Sequence, residues 1–384
     1  MTDRRSFLST AALGVLGAAF APRMAFARAA TAKRFVFIIQ RGAADGMGIV
    51  GPVGDPGFAG ARGDLAADVA KGAKLDAMFA LHPAMTATAG LYGQGQALFA
   101  HAIASPYRDR SHFDGQNVLE TGGASAYQLH DGWLNRLMGV VPTDDARAIA
   151  VAATVPMALR GSRDVASYAP SALPQASDDL MSRVAMLYQG DAQLHGLWSE
   201  AMATRQLTSD LAQNNGANAA ATGALTARLL APNNGARIAM IETGGWDTHT
   251  QQRQRLAAQL KGLDAMIGAL RTGLGPMWDD TLVLVATEFG RTVAANGTGG
   301  TDHGQGSSAM LIGGGVKGGR VIADWPGLKK SQLYEGRDLN PTSSLDAFIG
   351  GAVAEHFATD PARTMAALFP ASARIGATEG LVRV

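Results

Sequence analysis

Five apolar runs punctuate the chain, at Phe35–Ile39, Leu98–Ile103, Ala148–Ala152, Arg237–Ile241 and Thr281–Ala286. Each is continuous rather than alternating, which is the pattern of a strand covered on both faces. Between them, stretches with helical spacing occur at Ala84–Tyr92, Gly132–Met138, Ser177–Leu187 and Gln254–Leu270. In the last of these, Leu256, Leu260, Leu263, Met266, Ile267 and Leu270 form one apolar stripe. A further strand-like stretch follows at Ser307–Ile312. This order predicts an α/β chain with a mostly parallel central sheet and helices on both faces. Residues 196–235 carry few bulky side chains and read as a helical excursion, either a cap over a site or a surface helical pair.

The ends of the runs carry the chemistry. In a parallel sheet the carboxyl ends of the strands are where loops from distant parts of the chain converge and ligands bind. The first run leads to Asp45, the fourth to Glu242, Asp247 and His249, and the fifth stops at Glu288. Asp302 and His303 stand just before Ser307, wrapped by glycines. Hard oxygen donors together with imidazole at one rim point to a divalent-metal site for Zn²⁺, Mn²⁺, Mg²⁺ or Ca²⁺, with Zn²⁺ or Mn²⁺ better suited than Ca²⁺ beside the imidazole of His303. For each there is a plain alternative: a turn for Asp45, a solvated loop for Asp247 and His249, a salt bridge to Arg291 for Glu288.

A second cluster, Arg108, Arg110, Ser111 and His112, follows the run ending at Ile103 and opens a helix. Ser111 is either an N-cap or a nucleophile whose hydroxyl a metal could activate. Arg108 and Arg110, with Arg291, are suited to holding a phosphoryl or sulfuryl group. His101, His130, His195 and His356 have no acidic partner pattern and read as structural or surface residues.

Composition narrows the classes. With 47% hydrophobic and 17% charged residues in 384, the chain can bury a large core. Its net charge of +1 includes three Arg against one Asp in residues 1–27, so residues 28–384 stand near −1, which disfavours a nucleic-acid surface. Zero cysteines exclude disulfides, thiolate ligands and a Cys nucleophile. Arg4-Arg5 ahead of the weakly apolar stretch Thr10–Phe20, then Ala25-Phe26-Ala27, resembles a twin-arginine export signal. The expected arrangement is a signal over 1–27 and one α/β domain over 28–384, periplasmic or otherwise extracytoplasmic, with no membrane span in the mature form.

Asp45-Gly46-Met47-Gly48, the Glu242-x4-Asp247 interval and His303 ahead of Ser307 resemble the alkaline phosphatase-like superfamily of metallohydrolases, and within it a twin-arginine-exported bacterial family of undefined function. The resemblance implies that superfamily's fold and that Asp45, Glu242, Asp247, Glu288 and His303 hold one or two divalent ions, His249 joining them only if its loop is reshaped; Asp302 is a candidate ligand from the residue pattern alone. It leaves open whether Ser111 or His112 fills the nucleophile position. Two departures stand out: Gln251 where the family has a ligating His, and Phe289 beside Glu288. The expected activity is metal-dependent hydrolysis of phosphate or related esters, on a small-molecule or glycan-linked substrate. The alternative is a non-catalytic exported protein that binds a metal or a partner on the same scaffold.

Overall fold

The computed structural model describes residues 31–141, 147–168, 219–232 and 235–383, with isolated positions between 184 and 198. The export segment over 1–27, His195, nearly all of the expected helix over 177–187 and most of the excursion over 196–235 lie outside the described residues.

The apolar runs become strands of one nine-stranded sheet within the compact unit Thr31–Val384. Its core strands are β1 (Arg34–Gln40), β5 (Ala97–Ala104), β6 (Ala148–Val151), β8 (Ile238–Thr243), β9 (Thr281–Ala286) and β10 (Ser307–Ile312). β1 lies at the centre, parallel to β8 on one side, with Phe35 opposite Ile238, and to β9 on the other, with Phe35 opposite Leu282. β6 continues the parallel pairing beyond β8. A small three-stranded sheet is built from β2 (Val50–Gly51), β3 (Ala73–Lys74) and β4 (Ala80–Leu81).

β10 departs from the rest: it runs antiparallel to both β9 and β5. A residue before β10 therefore reaches the same rim as residues after β1, β8 and β9. This is how His303, which precedes its strand, can join side chains that follow theirs.

Helices cover both faces because β1 is apolar on both. Phe35, Phe37 and Ile39 pack with Trp133, Phe348 and Phe369; Val36 and Ile38 pack with Leu260, Leu263 and Ile267 on the other side. The first layer uses α6 (Trp133–Leu137), α9 (Leu345–Phe357) and α10 (Pro361–Leu368); the second uses α4 (Thr86–Gly93), α7 (Ala219–Leu230) and α8 (Gln252–Leu274). Trp133 anchors the first layer, with ring centroids 5.4 Å from Phe37 and 5.7 Å from Phe369, and its indole N–H donates to Leu119 O. The stripe of α8 is buried as its spacing predicts.

The sequence reading placed no helix after β10. α9 and α10 nonetheless start where capping chemistry favours it: Ser344 Oγ accepts from Ala347 N, and Asp360 accepts from Arg363 N with Pro361 in the first turn. Among the described residues no helix is long and apolar enough to cross a membrane.

His101 and His356 are structural, as their sequence context suggested. His101 is buried between Phe79 and Trp325 and bonds Val50 O at 2.8 Å; His356 bonds Arg34 O at 2.9 Å. Burial pushes both imidazoles down to about 4, so they stay neutral in the fold while the unfolded chain takes up protons from its ordinary value of 6.5 downward. Stability from both is therefore complete above pH 6.5 and lost as pH falls toward 4, on the order of 3 kcal/mol each. Urea-unfolding midpoints should fall steeply over that window, and His356→Gln should flatten the slope; an unchanged slope would contradict the assignment.

Candidate metal centre

Three loops and one helix end meet at the rim where β1, β8 and β9 finish and β10 begins. α5 (His112–Thr121) supplies His112, the β8–α8 loop supplies Asp247 and His249, the residue after β9 supplies Glu288, and the approach to β10 supplies Asp302 and His303. Donor atoms of His112, Asp247 and His303 lie within 4.8 Å of one another. His249 abuts them from the Asp302 side, its Nε2 3.0 Å from Asp247 Oδ1 and 3.0 Å from His303 Nε2.

Each imidazole is held by its other nitrogen. His112 Nδ1 lies 2.9 Å from Glu288 Oε1, His249 Nδ1 3.0 Å from Asp302 Oδ1, and His303 Nδ1 3.0 Å from Arg110 O. A carbonyl or carboxylate oxygen can only accept, so all three Nδ1 atoms carry the proton. The three Nε2 atoms are then left to face Asp247: His112 at 3.5 Å from Oδ2, His249 at 3.0 Å and His303 at 3.4 Å from Oδ1.

Two features of this arrangement are costly without a cation. His112 Nε2 is buried and has no hydrogen-bond partner, the 3.5 Å approach to Asp247 being too long to supply one. The Nε2 lone pairs of His249 and His303 point at each other across 3.0 Å, which repels unless a proton or a metal ion stands between them. Nitrogen and oxygen donors about 2.0–2.2 Å from one tetrahedral ion are themselves roughly 3.3–3.6 Å apart, and the approaches of the three Nε2 atoms to Asp247 here are 3.0–3.5 Å.

The surrounding groups fix the charges. Burial opposes ionisation of Glu288, yet the bonds it accepts from His112, Gln116 and Gly42 N hold its carboxyl below the ordinary value. The same bond to Glu288 raises His112 against the effect of burial. Burial also opposes ionisation of Asp247, but the Arg291 guanidinium, 2.6 Å from Oδ1, holds its carboxyl low. Asn296 and His249 hold Asp302 low, and burial with the nearby His112 lowers His303. Phe289 stacks on His112 at 5.2 Å and keeps water from that side.

Backbone geometry explains why the loops can close in. Gly42 has φ +116, and a Cβ there would meet Asp247 N at 2.6 Å, so only glycine lets the first loop carry the Asp247 loop. Arg110, with φ +62, turns its carbonyl toward His303 while Asp338 clamps its guanidinium at 2.7–2.9 Å.

Several expected site residues stand elsewhere. Asp45 is not with the cluster: its buried carboxylate is paired with Arg62, through a 3.0 Å contact and a closer one, and also bonds Gln252. An α2 helix (Phe58–Arg62), which sequence reasoning did not place, brings Arg62 there. Glu242 pairs with Arg41 at 2.8 Å, partly exposed, and Arg41 in turn reaches Glu120. Glu288 and Asp302 stand behind histidines rather than beside the donors. Arg291 pairs with Asp247 and Thr301, not with Glu288. Arg108 turns back onto the carbonyls of Ser105 and Tyr107, and Arg110 onto Asp338 and Glu335. Ser111 precedes α5 and its N–H donates to Tyr107 Oη; among the described residues its hydroxyl bonds none of the cluster. Gln116, Asn296, Thr301, Gln252 and Asp338 support the centre without having been singled out, and amides and hydroxyls of this kind leave no spacing signal.

The Asp45–Arg62 pair yields a direct check. Removing one member of a buried ion pair strands the other, at a cost of about 3–5 kcal/mol. Asp45→Ala should lower unfolding stability by that amount even in chelator-treated protein. A loss seen only with metal present would restore Asp45 as a ligand.

No curated protein matches the chain. One family model does, over residues 32–350, and it spans every donor of the centre. That family is distinct from the alkaline phosphatase-like and sulfatase families, so the resemblance drawn from Asp45, Glu242, Asp247 and His303 is overturned. Asp45 and Glu242, bound to arginines, show why such short matches misled. The chain belongs to the family described as "Protein of unknown function (DUF1501)".

Proposed function

We propose that the chain is an exported, divalent-metal-dependent hydrolase of phosphate or related esters. The observation that carries the metal is the convergence of three Nδ1-tethered imidazoles on one carboxylate, with a buried Nε2 that has no partner. Two nitrogens and an oxygen, with His249 Nε2 at their edge, form a donor set for Zn²⁺ or Mn²⁺ rather than for Mg²⁺ or Ca²⁺, which prefer oxygen. Such an ion would polarise an ester oxygen and make a bound water acidic enough to attack near neutral pH.

The chain's own residues prepare that chemistry. Glu288, Asp302 and the Arg110 carbonyl hold the imidazoles in one tautomer, the usual support behind ligating histidines. Arg291 keeps Asp247 ionised. Arg108 and Arg110 are spent on the loops, so they build the site rather than grip the ester. With the Ser111 hydroxyl unbound to the cluster, water is the better-supported nucleophile. Export rests on Arg4-Arg5 and Ala25-Phe26-Ala27.

Chelator-stripped protein should take up Zn²⁺ or Mn²⁺, and uptake should weaken as pH falls and protons compete for the Nε2 lone pairs. His303→Ala should abolish uptake, and hydrolysis of 4-nitrophenyl phosphate should follow metal content. Glu288→Gln should weaken metal affinity by roughly 10–100-fold without abolishing it, as expected for a group acting through His112. Hydrolysis indifferent to chelation would sink the mechanism. Metal uptake without hydrolysis of any phosphomonoester or diester would favour a non-catalytic metal-binding protein.

A further inference from the structure

Gln252, the first residue of α8, is fully buried, and both ends of its carboxamide are engaged. Nε2 donates to the Asp45 carboxylate, which is itself locked to Arg62. Oε1 accepts from the hydroxyls of Thr248 at 3.0 Å and Thr301 at 2.6 Å. Both threonines are as buried as Gln252.

Those threonines belong to the two loops that carry most of the cluster. Thr248 stands between Asp247 and His249, and Thr301 immediately precedes Asp302 and His303. One amide oxygen therefore ties the β8–α8 loop to the approach to β10. The tie closes on its far side, where Thr301 Oγ1 accepts from Arg291 Nε at 3.2 Å and Arg291 Nη1 donates to Asp247 Oδ1 at 2.6 Å. Backbone bonds reinforce it, from Gln252 N to Gly299 O at 3.0 Å and from Thr301 N to Thr248 O at 3.3 Å.

The directions of these bonds leave little choice of side chain. A carboxylate only accepts, so the group facing Asp45 must donate; the threonine hydroxyls donate, so the group facing them must accept. Glu would lack the donor, Lys would lack the acceptor, and Asn is one methylene short. A buried polar network with every member satisfied holds one arrangement and penalises the others. A metal centre needs that, since its donors must be held to within roughly 0.5 Å of their working positions.

We propose that Gln252 is a positioning residue for the metal centre: by joining the Asp247–His249 loop to the Asp302–His303 loop through the hydroxyls of Thr248 and Thr301, it sets how tightly the cluster holds a cation. The inference rests on the metal-centre reading. Its carboxamide bonds reach Asp45 and the two threonines rather than any donor atom of the cluster, so Gln252 acts through the loops.

Zinc affinity of the full-length protein, measured by competition with a chromophoric chelator, reads this role, and urea unfolding of the chelator-treated protein reads the fold alone. Gln252→Met should bind zinc roughly 10–100-fold more weakly and Thr248→Val about tenfold, whereas Thr248→Ser, which keeps the hydroxyl, should stay within about twofold of the parent chain. Adding Thr248→Val to Gln252→Met should cost little more, because the hydroxyl has already lost its acceptor. Lower urea stability with unchanged zinc affinity in both Gln252→Met and Thr248→Val would mean that the tie serves only the fold, and overturns the proposal. So does a loss in Thr248→Ser as large as in Thr248→Val, or a fully additive loss in the double variant. Should Gln252→Met fail to fold, the two Thr248 variants decide alone. A parent chain that takes up no zinc removes the metal centre and the tie with it, whereas zinc binding indifferent to these substitutions removes the tie and keeps the centre.

Discussion

Three imidazoles that each donate through Nδ1 have only their Nε2 lone pairs left, and here those lone pairs are turned toward one carboxylate. The rest of the site follows from satisfying that arrangement. Glu288 must be buried and ionised to hold His112, which requires the bonds from Gly42 N and Gln116. Asp247 must remain a carboxylate, which requires Arg291 beneath it. The Arg110 carbonyl must face inward, which requires a left-handed backbone and the clamp by Asp338. The cost of gathering such groups without a cation is the physical argument for one.

The fold makes the gathering possible through one reversed strand. Had β10 been parallel like most of its sheet, His303 and Asp302 would lie at the opposite end from Asp247. Because it is antiparallel to β9 and β5, its approach loop comes back across the rim. Gly42 then allows the Asp247 loop to settle against the first loop, and α5 delivers His112 from the side.

Much of this was legible from the sequence because it rests on local pattern. Continuous apolar runs marked the central strands, and the leucine stripe of α8 marked the longest helix. Acidic and imidazole residues at the run ends pointed to one rim, and Asp247, His249 and His303 do meet there. What could not be read was partnership. Asp45 and Glu242 look like ligands in sequence, but Arg62 and Arg41 claim them in space, and nothing in the spacing of Arg62 announces that. His112 was read with Ser111 as one of two candidates for a nucleophile, whereas its ring bonds Glu288 and faces Asp247 beside the other imidazoles. Glu288 and Asp302 were read as ligands, whereas each bonds the Nδ1 of a histidine; a carboxylate behind a histidine and one beside it have the same signature in a single sequence. The antiparallel direction of β10 and the helices after it depend on long-range packing that periodicity does not encode.

The central claim is that a cation belongs among His112, Asp247 and His303, with His249 at its edge. Anomalous diffraction at the zinc edge from crystals of the zinc-treated protein tests it most directly. The account predicts a strong peak within about 2.0–2.2 Å of the His112 and His303 Nε2 atoms and an Asp247 oxygen. An empty cluster with zinc bound instead at Asp45 or Glu242, or nowhere in the molecule, would contradict it.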